Sequence, residues 1–181
     1  MRLALLAVAV LATAASLSAQ NVPESDTTYV PHYQLPNGRQ IVVVYVGMTR
    51  CGHSRDPEVI NAVRRMKPLL ARQADSLAVP LSVMGVALDW KVQDGIDYLR
   101  SLGEFDEIAT GSNWGNLAAI SYIWHQPSGR SVVPQVLIYQ RTVTPQQSTI
   151  AFGPEQELAR FVGTDEIINW VARGAPMPQG H

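Results

Sequence analysis

The stretch IVVVYV, residues 41–46, is apolar at every position. Successive side chains of a β-strand point to opposite faces, so a strand made of these residues has no face suited to water. It reads as a central strand buried on both sides. Whatever else the chain does, it must cover that strand twice.

The flanking segments supply the covering layers. Upstream, Pro36-Asn37-Gly38 carries tight-turn chemistry, which predicts an N-terminal β-hairpin pairing residues 33–35 with 40–46. Downstream, Val59, Ile60, Val63, Met66, Leu69 and Leu70 recur at helical spacing. Asp56 is placed to cap that helix, with Pro57 at its first position. Pro68 is expected to kink or split it. LSVMGVALD reads as a second buried strand and VQDGIDYLRSLG as a helix ending at Gly103. FDEIAT reads as a short strand and GNLAAISYIW as a helix. PQVLIYQRTV and ELARFVG are strands, and TDEIINWVARG is a last helix capped by Thr164. Strands alternating with helices predict an α/β domain. The final two strands adjoin without a helix, so they should be antiparallel and the sheet mixed.

The ends differ from this body. MRLALLAVAVLATAASLSAQ has one basic residue, an apolar run and then small residues, the layout of a secretory signal peptide over residues 1–19. Its apolar run is shorter than the about 20 residues of a membrane span; an uncleaved anchor is the alternative. An exported chain, periplasmic or secreted, with no stable membrane insertion after cleavage is therefore expected. Residues 20–32 read as a linker, 33–173 as the domain and 174–181 as a disordered tail. The net charge of −1 offers no reason to expect nucleic acid as a partner.

The chain has one cysteine, Cys51, in VVVYVGMTRCGHSRDP, just past the central strand. Export makes a lone cysteine notable, because cysteines in oxidising compartments usually pair. A thiol ahead of a helix faces unpaired N–H groups and the positive end of the helix dipole, which favour the thiolate. His53, Arg50 and Arg55 stand where their charge would add to that effect, and Gly52 lets another backbone approach.

VYVGMTRCGHS, followed much later by VVPQVLIY, resembles the strand, Cys-x-x-Cys loop and cis-proline strand of the thioredoxin superfamily, in its secreted branch. The resemblance spans about residues 33–172. It implies a thioredoxin-like fold, a central mixed β-sheet flanked by helices, with Val133 and cis Pro134 forming the edge where a partner's backbone docks beside Cys51. His53 at the third motif position is similar to the strongly oxidising periplasmic members, whose motif is Cys-Pro-His-Cys. Three positions depart from the family. Ser54 replaces the resolving cysteine, Arg50 replaces the usual aromatic residue, and Tyr45 replaces the buried carboxylate that many members carry.

Ser54 cannot release a mixed disulfide as a second thiol would, so a dithiol cycle is excluded. What remains is monothiol thiol–disulfide exchange or isomerase-type activity at Cys51, with His53 tuning the thiolate and Ser54 hydrogen-bonding it. Partners would be protein thiols or disulfides, or a low-molecular-weight thiol, with no cofactor. The alternative is a non-catalytic binding module in which Cys51 is inert. Pro57 bears on the choice, since it delays the helix and so weakens its effect on Cys51.

Other constellations carry less. His32, His53, His125 and His181 show no metal-ligand spacing, and one cysteine builds no structural zinc site. Trp114, Tyr122 and Trp124 read as core or groove lining. Asp89, Asp94, Asp97, Glu104, Asp106 and Glu107 read as a solvated face.

Overall fold

The structure, a computed structural model, describes residues 36–146 and 149–178. Strand β1 (Gly38–Gly47) lies in the middle of a six-stranded mixed sheet. On one side it runs parallel to β2 (Leu81–Ala87), which in turn runs parallel to β3 (Glu107–Thr110). On the other side it is antiparallel to β4 (Gln135–Pro145). The far edge of β4 is shared: β6 (Gln156–Val162) pairs with its first half and β5 (Ile150–Phe152) with its end, both antiparallel. Thus the domain is α/β with a mixed sheet flanked by helices. Strand β5 is not among the elements that the sequence pattern predicts. The first arm of the expected hairpin, residues 33–35, lies outside the described residues, as do 1–32 and 179–181.

The period of two divides β1 between two cores. Ile41, Val43 and Tyr45 face one cluster, and Val42, Val44 and Val46 face the other. Against the first face pack α1 (Pro57–Ser76), α2 (Val92–Ser101) and α4 (Thr164–Ala172), through Val59, Met66, Leu70, Leu99, Ile167 and Trp170. Against the second packs a short turn, α3 (Leu117–Ala119), which runs into a π-helical segment (Ile120–Trp124) and supplies Ala118, Tyr122 and Ile123. Fully burying one such side chain stabilises by about 1.5–3 kcal/mol.

Helix α1 begins as expected. The Asp56 carboxylate accepts the Glu58 N–H at 2.8 Å and Pro57 occupies the first position. Pro68 does not split it: one helix of 20 residues continues past it. Pro68 sits on the exposed side, where the Arg64 carbonyl deprived of its donor also lies. Cations on α1 hold the end of α2. Arg64 donates to the Ser101 carbonyl, and Lys67 donates to those of Leu102 (3.0 Å) and Glu104 (2.6 Å). Positive charge at a helix C-terminus is favourable, and these contacts fix α2, whose Tyr98 reaches under the site described below.

Three expectations need correction. Residues 174–178 are not a loose tail. Ala175 is fully buried, Gln73 donates to the carbonyls of Gly174 and Ala175 and accepts from the Met177 N–H, and Trp170 donates to the Pro176 carbonyl. Thr164 does not cap α4: the cap position is Gly163 (φ +87°), and no side chain fills it. Asp89 is no surface residue; it is 4% exposed. Asp106, though exposed, accepts the Val83 N–H at 2.7 Å. An amide whose strand partner has ended needs such an acceptor.

Candidate functional site

Strands β1 and β2 run parallel and end together, at Gly47 and Ala87. Past these ends, two loops meet. Asp89 accepts the Thr49 N–H through both oxygens (3.2 and 3.3 Å), and the Thr49 hydroxyl donates to it as well. The Asp89 carbonyl accepts the Asn113 N–H at 3.3 Å. One buried acid therefore ties the loop carrying Cys51 to the turn carrying Trp114.

Cys51 is half-buried. It packs with Met48 and Trp114 against the second core cluster. Its Sγ donates to the Val133 carbonyl at 3.5 Å, and the Val133–Pro134 peptide bond is cis. Residues 82 apart in sequence thus touch at the site. The Pro134 carbonyl is held by the Gly163 N–H at 2.8 Å. Trp114 and Trp124 meet edge to face at 5.7 Å, and the Trp124 indole donates to the Trp114 carbonyl. Trp90, beside Asp89, is 74% exposed.

After Cys51 comes a 3-10 turn (His53–Arg55), in which the Arg55 N–H reaches back to the carbonyls of Cys51 and Gly52. The Asp56 backbone is extended (ψ 125°), and α1 starts only at Pro57. Cys51 therefore opens a separate short turn rather than the long helix, as a residue preceding proline disfavours helical geometry.

The remaining site residues are placed as follows. Ser54 is fully buried, and its Oγ has no hydrogen-bond partner among the described residues. The expected bond from Ser54 to the Cys51 sulfur is absent, because the side chain turns into the core while the thiol stays at the rim. His53 is exposed, with Nδ1 3.4 Å from the Thr164 hydroxyl. Gly52 has an ordinary helical conformation, and a Cβ there would meet nothing within 4 Å, so no close approach within the chain demands glycine. Arg50 and Arg55 are exposed. Among the described residues no three metal-ligating side chains gather, and no helix is long and apolar enough to cross a membrane.

Under the motif lies a pair of residues that no local sequence pattern joins. The Tyr45 and Tyr98 hydroxyls are 2.6 Å apart, and Tyr98 donates to the Ser54 carbonyl at 3.0 Å. Since the single Tyr98 proton goes to Ser54, Tyr45 must donate to Tyr98. Burial pushes the Tyr98 phenol up to about 12 and Tyr45 well above the ordinary tyrosine value, so both stay neutral at physiological pH. Gly47 makes room for them: a Cβ there would stand 2.5 Å from the Tyr98 oxygen and 2.7 Å from that of Tyr45. The signal in the sequence was Tyr45, six residues before Cys51; nothing there pointed to Tyr98. Comparison with protein-family models, with curated proteins and with solved structures finds no match.

Proposed function

We propose that the chain is an exported thioredoxin-like protein whose Cys51 carries out monothiol thiol–disulfide exchange. The observation that carries this reading is that Cys51 is half-buried, with its sulfur 3.5 Å from the carbonyl that precedes cis Pro134. A partner strand laid along residues 132–134 would bring its own sulfur to Cys51. The central sheet order, with parallel β1 and β2 and antiparallel β4 and β6, is compatible with the fold that the motif resembles.

The chemistry is a two-step exchange. The Cys51 thiolate attacks one sulfur of a partner disulfide; a Cys51–S–S–R bond forms and the other partner sulfur leaves as a thiolate. A second thiol, the client's own or a small one, then attacks the R sulfur and frees Cys51. Disulfides are exchanged with no net oxidation. Ser54 takes no part, so the intermediate outlives that of a two-cysteine site.

The late start of α1 at Pro57 favours a second reading, a binding module in which Cys51 is inert. The two separate on one experiment. The wild-type chain is incubated with two identical short peptides joined by one cystine, and mixed disulfide is followed by mass, with Cys51→Ser as control. Adduct forming faster than on free cysteine supports exchange. Adduct forming no faster rejects it in favour of the binding module.

A further inference from the structure

The Asp56-Pro57 step leaves one buried acceptor in difficulty. In a continuous helix the Ser54 carbonyl would bond to the amide three or four residues on. Three residues on is Pro57, which has no N–H. Four residues on is Glu58, whose N–H is taken by the Asp56 carboxylate at 2.8 Å. Ser54 is fully buried, so water does not replace them. Tyr98 does: its hydroxyl, arriving from α2, donates to that carbonyl at 3.0 Å. Tyr45, from the central strand, donates in turn to Tyr98.

We propose that Tyr98 and Tyr45 are positioning residues for Cys51, a neutral donor chain that pins the Cys51–Ser54 turn to the sheet and so holds the thiol at the Val133 edge. The chain starts on β1, which is also hydrogen-bonded to β4, the strand that Val133 and Pro134 lead into. It therefore references the turn to the same sheet that carries the docking edge. Apart from it the turn is held by Arg55 N–H bonds within itself, by the Asp89 clamp on Thr49, by the exposed His53–Thr164 contact and by the 3.5 Å contact of the thiol with the Val133 carbonyl. Only the last reaches the docking edge, and it is lost whenever the thiol reacts. The inference rests on Cys51 being the reacting group.

The test compares two reagents on the full chain. Because the chain has one cysteine, both report on Cys51 alone. Iodoacetamide needs no docking; the cystine-linked peptide pair must lie along residues 132–134. For Tyr98→Phe, we expect exchange with the peptide disulfide to fall about fivefold, the factor associated with losing one buried hydrogen bond, while alkylation by iodoacetamide changes less than twofold. Tyr45→Phe keeps the Tyr98–Ser54 bond and should lower exchange about twofold; it serves if Tyr98→Phe does not fold. Equal exchange in wild type and a folded variant overturns the inference, and so does an equal fall with both reagents, which would be a change in thiol chemistry rather than position. A wild type that does not exchange at all rejects the function proposed above, whatever the variants do.

Discussion

Ser54→Ala is expected to stabilise the protein, although it truncates a fully buried residue. Ser54 has no solvent exposure, and its Oγ has no partner among the described residues. A buried hydroxyl without a hydrogen bond costs about 1–3 kcal/mol. Against this stands the void left by one oxygen, smaller than the methylene whose loss typically costs about 0.5–1.5 kcal/mol. The balance is a gain of about 1 kcal/mol. For a domain of this size that raises Tm by about 3 °C, and with a urea m-value of about 2 kcal/mol/M it moves the midpoint up by about 0.5 M. The assay is urea unfolding followed by far-UV circular dichroism on wild type and variant. An unchanged m-value with a lower midpoint for Ser54→Ala would refute the reasoning, since it would mean that the hydroxyl has a partner whose bond is worth more than its desolvation.

Asp89→Ala removes the acceptor for both the amide and the hydroxyl of Thr49; we expect a loss of about 3 kcal/mol in the same urea experiment and faster amide exchange across residues 48–51. Ser54→Cys places a second sulfur three residues from Cys51 but turned into the core, as the Ser54 side chain is, while the Cys51 sulfur points to the Val133 carbonyl. A disulfide needs the two Cβ atoms to face each other, so both thiols should persist in a thiol titration after mild oxidation, and loss of both together would refute that geometry. The buried tyrosines predict an alkaline transition. The Tyr98 and Tyr122 phenols are each raised by burial to about 12, and those of Tyr45 and Tyr139 are raised as well. With folded values above the unfolded value near 10, the neutral phenols contribute stability that is complete below pH 10 and lost as pH rises toward 12. Tyrosinate absorbance should therefore appear for these four together with unfolding, rather than as a step that precedes it.

Much of the architecture is written locally. The double-sided apolar run at residues 41–46 demands a covered central strand, and the structure splits its side chains between two cores. Asp56-Pro57 is a start signal that works over three residues, which is why α1 begins there. The Gly103 and Gly174 stops hold for the same reason: both adopt positive φ just past a helix. The lone thiol and the proline strand were also legible, because each is defined by residue type and by its place relative to a strand.

What could not be read was which distant groups satisfy which. Asp89 looks like one acid among several in sequence; only the joint end of β1 and β2 makes it the acceptor for Thr49. The tail after Gly174 looks free because proline and glycine fill it; Gln73 and Trp170, each placed by helix packing, hold it. Ser54 and Cys51 look like partners because they are three residues apart, yet the turn sends one inward and leaves the other at the rim. The strand, the thiol beyond it and the proline that separates the turn from α1 are all short-range properties of backbone and side-chain chemistry, and so are legible in the residues alone. The tertiary structure decided how the broken helix is repaired, by two tyrosines 53 residues apart, because a buried carbonyl takes whichever donor packing brings within reach.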